Sequence, residues 1–184
     1  GPFPFLMIEA GYESVGDSVV TMMVPAIQGI LSGSLCGAFG GHDALWHFGS
    51  GSPSGTPTSI IASYQTPSWH EMGYLGAMLK RHQWWKLEPK TDASLVTTSL
   101  GTGEARICPA RASDGSFAMV WTYSTLNFSV SLATLTPGNV RARWWDYNTD
   151  TYSAASGSPF TNSGQTIAFT APSNSRILVL DAAP

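Results

Sequence analysis

The sequence predicts an α/β unit followed by an all-β unit. Residues 1–90 are expected to form the last two βα units of a (β/α)8-type barrel, and residues 91–184 an antiparallel, Ig-like β-sandwich. In the first unit, two apolar runs flank an apolar helical segment, the strand–helix–strand pattern of a parallel sheet. In the second unit, short β-rich runs alternate with turn sequences, as in a sandwich.

The first unit cannot close on itself. A parallel sheet needs helices on both faces, and a complete barrel needs roughly 250 residues. We therefore expect the earlier barrel strands to lie upstream or on another chain. The charged share of only 11% also hints at a part of something larger, because about 25% is usual.

The predicted strands of the first unit are "PFLMIEA" (4–10) and "SLCGAFG" (34–40), each a continuous apolar run. A helix between them begins after Asp17 and runs to about Ser32. The uncharged stretch 18–41 is long enough for a membrane span. A proline, a glutamine and a Gly/Ser-rich middle divide it, however, so a buried helix and strand are favoured.

A second helix is predicted from "PSWHEMGYLGAMLKRH", with Pro67 in its first turn and Ser68 as the capping candidate. The following "WWKLEPKTD" (84–92) is interpreted as a linker. The predicted strands of the sandwich are "SLVTTSLG", "EARICPARAS", "SFAMVWTYS", "NFSVSLATL", "NVRARWWDYNT", "TYSAAS", "QTIAFTAP" and "SRILVLDAA", and "SDGS", "TPGN" and "SGSPFTNSG" are predicted turns.

Charge and cysteine usage narrow the function classes. The net charge of −3 and the lack of a Lys/Arg run argue against nucleic acid as a partner. Cys36 and Cys108 have no metal-ligand spacing, so no metal site and no cofactor are predicted. They are interpreted as buried small side chains, with a disulfide between them left open.

The first apolar run ends in a carboxylate, Glu9. Either the chain turns into solvent there, or the strand points an acid into a site. Active sites of barrel enzymes lie at the carboxyl ends of the strands, so the position of Glu9 suits a catalytic group.

The segments "PFLMIEAGYE", "GILSGSLCGAFGGHDALWHFG", "MGYLGAMLKRHQWWKLEP", "RWWDYNTDTYS" and "IAFTAPSNSRILVLDA" occur in a known order. Together they resemble the C-terminal half of the apiosidase-like (β/α)8 glycoside hydrolases. Those enzymes carry a C-terminal β-sandwich labelled as a collagen-binding domain. The resemblance covers nearly the whole chain, whereas the earlier barrel strands of the family are absent.

The resemblance implies a retaining glycosidase acting on complex, plant-type glycans, with Glu9 at the position of the nucleophile. It also implies a carbohydrate substrate, a secreted or cell-surface location, and the missing N-terminal barrel portion as a partner. The general acid/base would come from an earlier strand, so this chain is expected to be catalytically incomplete.

Five further residues are candidates for substrate binding by the same resemblance. Tyr12 would donate to the nucleophile, while Glu13 would bind a sugar hydroxyl or else serve only as a carboxylate at the entry of a helix. His42 and Asp43 would hydrogen-bond sugar hydroxyls. Trp46 would offer an apolar face to a sugar ring or else belong to the core.

The alternative function is a non-catalytic carbohydrate-binding or structural protein that uses the sandwich. The aromatic side chains Trp144, Trp145, Tyr147 and Tyr152 would then form an exposed platform. Against this, "RWWDY" also fits an ordinary strand with alternating inward and outward side chains.

Overall fold

The computed structural model describes residues 12–13, 19–34, 41–42, 65–124, 126–173 and 176–183. These residues form two α-helices, two short 3-10 helices and eleven strands. The fold is mostly antiparallel β-sheet with two helices, consistent with a β-sandwich domain. The described residues do not show a barrel.

Helix α1 spans Val19–Leu31, as the apolar pattern predicts. It ends in a Schellman motif, in which the Ser34 amide donates to the Gly29 carbonyl at 3.0 Å and the Gly33 amide to the Ile30 carbonyl at 3.1 Å. Gly33 has φ +97°, and a Cβ there would lie 3.0 Å from Pro89 Cγ. Glycine at this position therefore permits both the left-handed turn and the close approach of a neighbouring strand.

Helix α2 spans Pro67–Arg81 and also matches its predicted position. Its N-cap residue is Thr66 rather than the predicted Ser68, because Pro67 already occupies the first helical turn. Lys80 and Arg81 lie in the last turn, where the helix dipole favours cations.

Two short strands belong to the first unit: β1 (Tyr12–Glu13) and β2 (Gly41–His42). They pair in parallel, and each lies after one of the two predicted strands rather than within it. The predicted strand at 4–10 lies outside the described residues, as does the predicted strand at 34–40 apart from Ser34.

The remaining strands form two antiparallel sheets. The seven-stranded sheet has the order β3-β4-β5-β11-β7-β8, with β9 also pairing with β7, and the two-stranded sheet joins β10 and β6. The bounds are β3 Leu87–Pro89, β4 Cys108–Ala112, β5 Phe117–Trp121, β6 Asn127–Ser131, β7 Gly138–Asp146, β8 Thr151–Ala154, β9 Phe160–Asn162, β10 Thr166–Thr170 and β11 Arg176–Ala183.

Three predicted segments differ from the structure. The predicted linker 84–92 contains a 3-10 helix (Trp84–Lys86) and strand β3, which pairs with β4. The predicted turn "SGSPFTNSG" contains β9. The predicted first sandwich strand, "SLVTTSLG", contributes an isolated bridge between Val96 and Val130. Each of these elements is too short to produce a periodic apolar pattern.

The seven-stranded sheet is the middle of three layers. Helices α1 and α2 cover one face in a core cluster that includes Met119, Trp121 and Trp145 of the sheet. The two-stranded sheet covers the other face in a second cluster, which includes Val120 and Trp144. Strand β5 is therefore buried along its whole length.

No described helix has both the length and the apolar character needed to cross a membrane.

Candidate functional site

The parallel pair β1–β2 is the part of the predicted active-site edge that the structure describes. The register places Tyr12 opposite Gly41 and Glu13 opposite His42. Because the two strands are parallel, Glu13 and His42 both lie at the carboxyl ends of their strands. In barrel enzymes the catalytic groups lie at the carboxyl ends of the strands.

Three of the six candidate site residues thus lie in neighbouring strands: Tyr12, Glu13 and His42. Glu9, Asp43 and Trp46 lie outside the described residues. Their roles, and that of Glu9 as nucleophile, stay predictions from the sequence. Helix α1 contacts β1, and α2 contacts both β2 and α1, so the described strands are packed against both helices.

Two other carboxylates of the first unit lie elsewhere. Glu71 is buried on α2, where it raises the pKa of Tyr147 in addition to the larger effect of burial. Glu88 is exposed on β3 and is ion-paired with Lys90 at 3.0 Å. Neither belongs to the β1–β2 pair.

A polar network that the sequence analysis did not predict connects the end of α2 to the sandwich. Arg81 makes two contacts with the Asp150 carboxylate, one of them between Nη1 and Oδ2 at 3.3 Å. Asp150 Oδ1 also accepts a hydrogen bond of 2.8 Å from the indole N–H of the buried Trp145. Asp150 itself has φ +52°, a strained conformation for a residue with a side chain.

A second group lies beside the first. Asp181 on β11 pairs with Arg143 Nη2 at 2.6 Å and with His82 Nε2 at 3.4 Å. The other ring nitrogen of His82 lies 3.0 Å from the Met78 carbonyl oxygen. The Arg143 guanidinium lies 4.4 Å from the centre of the Tyr152 ring, a cation–π geometry.

These contacts shift the carboxylate pKa values downward. The hydrogen bond from Arg81 is the main cause of the lowered pKa of Asp150. Burial by itself would raise the pKa of Asp181, but the hydrogen bonds from His82 and Arg143 outweigh it and the pKa is lowered. Both carboxylates are therefore held in the charged form.

The sequence offered little signal for this network. Arg81 and His82 fit the role of cations at the end of a helix, and that interpretation explains them without a distant partner. Arg81 and Asp150 are separated by 69 positions, so no local motif links them. Of the two interpretations of "RWWDY", the ordinary alternating strand is confirmed and the exposed aromatic platform is wrong, because Trp144, Trp145 and Tyr147 are buried and Tyr152 is half-buried against Arg143.

Within the described residues no group of three or more histidine, cysteine, aspartate or glutamate side chains is arranged to hold a metal ion.

The second part of the chain matches a known protein family. Residues 91–181 match the family model described as "Putative collagen-binding domain of a collagenase". No curated protein sequence matches the chain. The matched residues correspond closely to the predicted sandwich.

Two solved structures resemble both parts together. A glycoside hydrolase shares 18% identity over 91% of this chain, with a TM-score of 0.77. A glycoside hydrolase family 5 protein from Bacteroides vulgatus ATCC 8482 shares 16% identity over 93% of this chain, also with a TM-score of 0.77. This chain spans 37% and 38% of the length of those two chains. At such low identity the likeness establishes a shared fold.

Proposed function

We propose that this chain is the C-terminal part of a retaining glycoside hydrolase that acts on complex, plant-type glycans. The observation that carries the proposal is the likeness to two glycoside hydrolases over at least 91% of the chain, the α/β unit as well as the sandwich. The parallel register of β1 and β2 supports it, because it brings Glu13 and His42 to neighbouring strands.

The proposed mechanism assigns the covalent step to Glu9. Its carboxylate attacks the anomeric carbon, and the glycosidic bond to the leaving group breaks as a general acid protonates the leaving oxygen. Water then hydrolyses the glycosyl-enzyme ester and restores Glu9. The acid/base is supplied by the earlier part of the barrel, at about 5 to 5.5 Å from Glu9, the separation that a retaining mechanism requires.

The substrate-binding residues act around this centre. Tyr12 donates a hydrogen bond to the Glu9 carboxylate and orients it. Glu13, His42 and Asp43 bind sugar hydroxyls, and Trp46 stacks on a sugar ring. The missing barrel portion is the obligatory partner, the protein is secreted or lies at the cell surface, and no metal or cofactor takes part.

The alternative function, binding through an aromatic platform on the sandwich, loses its basis because the tryptophans of that platform are buried. The collagen-binding description of the family model finds no further support in a feature of the described residues. We therefore propose one function.

The test uses the whole polypeptide that carries this sequence together with the rest of its barrel. Glu9→Gln should lower kcat on aryl glycosides by about four orders of magnitude or more, because the nucleophile is lost while shape is kept. Glu88→Gln is the matched control, since it removes a carboxylate that is 52% exposed on β3. The kcat of the Glu88→Gln variant should stay unchanged, and so should the melting temperatures of both variants.

A covalent trap identifies the nucleophile directly. A 2-deoxy-2-fluoro glycoside with a good leaving group should accumulate as an ester on the peptide that contains Glu9, as read by mass spectrometry. Nearly full activity of Glu9→Gln, or a label on another carboxylate, would contradict the assignment. A first product with inverted anomeric configuration would contradict the retaining mechanism.

A further inference from the structure

A cleft of about 280 Å³ opens where α2 ends against the seven-stranded sheet. It is separate from the β1–β2 edge. Its walls come from the turn after α2, the turn between β4 and β5, and strand β11. The residues that matter for its chemistry are His82, Gln83, Lys86, Asp114, Phe117 and Asp181.

The charges in this cleft are already paired with one another. Lys86 Nζ lies 2.8 Å from Asp114 Oδ2, and His82 Nε2 lies 3.4 Å from Asp181 Oδ1. An anionic ligand would meet two carboxylates, and a cationic ligand would meet Lys86 and the neighbouring Arg81. The cleft therefore discriminates against ligands of either net charge.

The paired charges present donors beside acceptors, which is what neighbouring hydroxyl groups need. One hydroxyl can accept from Lys86 while the next donates to Asp114, and the Asp181 carboxylate offers a further acceptor. Charged partners make such hydrogen bonds stronger than neutral ones. The Phe117 ring, which also contacts the His82 ring at 5.9 Å between centroids, supplies an apolar wall for the C–H groups of a ligand.

The conformation of Gln83 is a second, independent observation. It has φ 50° and ψ 51°, the left-handed conformation that follows many helix ends and that glycine adopts at the least cost. Its side chain is exposed at the rim of the cleft. An amide there adds another donor and acceptor, at a position where the backbone alone favours glycine.

We propose that this cleft binds one neutral pyranose unit of a glycan, as a site separate from the predicted catalytic edge. The volume of about 280 Å³ lies just below the range for ligand pockets, about 300 to 1,000 Å³, so a single sugar ring suits it better than an oligosaccharide. The inference does not depend on Glu9, because none of the residues that form the cleft belongs to β1 or β2.

The test titrates the ¹⁵N-labelled chain with the methyl pyranosides of glucose, galactose, mannose and xylose. At least one should cause saturable shifts of the amides of Gln83, Lys86, Ser116 and Phe117, with a Kd on the order of 1 mM. Asp114→Asn should weaken that binding about tenfold, because a hydroxyl loses its charged acceptor.

Asp92→Asn is a closely matched control. Asp114 accepts hydrogen bonds from the amide and hydroxyl of Ser116, and Asp92 accepts the same pair from Ser94. Of these two carboxylates, Asp114 lines the cleft and Asp92 does not. The Asp92 variant should therefore bind each sugar as the unaltered chain does.

A further variant separates binding from folding. Gln83→Gly should raise the melting temperature slightly, since glycine tolerates the left-handed conformation, while sugar affinity falls several-fold. Three results would overturn the proposal: no saturable shift with any of the four sugars, equal loss of affinity in the Asp114 and Asp92 variants, or shifts produced by the zwitterion glycine in place of the sugars. A failure here would leave the Glu9 assignment untouched.

Discussion

Trp144 and Trp145 are adjacent in β7 and lie in different cores. The Trp144 ring meets the Phe128 and Phe169 rings edge to face, each at 6.3 Å between centroids, in the cluster under the two-stranded sheet. Trp145 packs under the helices and donates its indole N–H to Asp150. Successive side chains of a strand point to opposite faces, and both faces of this strand are covered. For this reason neither tryptophan is available to a ligand.

Cys108 gives a prediction at the scale of one residue. Its thiol is buried, and burial raises its pKa to about 11. At pH 8 only on the order of one thiol in a thousand would be ionised, and the packed core also blocks access. In a Cys36→Ser variant, which leaves Cys108 as the one thiol, a chromogenic disulfide reagent should react slowly with the folded chain and at once after denaturation. Rapid stoichiometric reaction of the folded chain would contradict this.

At the scale of elements, the end of α2 is fixed to the sandwich by charge as well as by apolar packing. Arg81 and His82 are consecutive, and each contacts a different carboxylate of the sheet region, Asp150 and Asp181. Arg143 on β7 shares Asp181 with His82. The end of the helix therefore contacts both the turn between β7 and β8 and strand β11, and its orientation is determined by several directional contacts.

Replacement of Asp181 should weaken the contact between the end of α2 and the sandwich. Asp181→Asn leaves Arg143 and His82 without their carboxylate, which we expect to lower the free energy of unfolding by about 1 to 3 kcal/mol at pH 7. Because the folded-state pKa of Asp181 is lowered, its stabilising contribution is present above the ordinary aspartate pKa of about 3.9 and is lost as the pH falls below it.

The measurement is chemical denaturation of both proteins at pH 7 and at about pH 3. The gap in unfolding free energy should narrow at the lower pH, because the Asp181 carboxylate of the unfolded chain gains a proton there before that of the folded chain does. Glu88→Gln serves as the control, because that carboxylate is exposed on β3 and pairs with Lys90, two residues away. A gap that is the same at both pH values would show that the contribution of Asp181 is not electrostatic.

The elements that were predicted correctly are those with a periodic or continuous apolar pattern. Both helices fall within about a turn of their predicted bounds, and the long β-rich runs became β5, β7 and β11. Strands β3 and β9 were missed, since three residues carry no usable period. The polar junction was missed because its partners, such as Arg81 and Asp150, come together only through tertiary packing. At the proposed catalytic edge, the structure describes the strand register but not Glu9.

At the scale of the whole molecule, the two sheets of the sandwich do not bury all of their own apolar surface. The face of the large sheet that holds Ala110, Met119, Trp121, Trp145 and Val179 is covered by α1 and α2, which the sequence analysis assigned to the other unit. Strand β3, before the predicted boundary at residue 90, extends the same sheet. The matched family segment at 91–181 therefore lacks one layer of the packing around it.

This arrangement determines what we expect of the isolated sandwich. A fragment of residues 91–184 should expose the helix-covered face to water, and each large side chain uncovered there forfeits about 1.5 to 3 kcal/mol. The fragment should bind a hydrophobic dye, self-associate and melt well below the whole chain. A fragment of residues 65–184, which keeps α2, the Arg81–Asp150 contact and β3, should recover part of the stability and bind less dye.

Light scattering, dye fluorescence and thermal melts of the three proteins compare them directly. A monomeric 91–184 fragment that binds no dye and melts with the whole chain would mean that the helices add nothing to the sandwich. The coupling between the two parts would then have to be sought at the polar contacts alone.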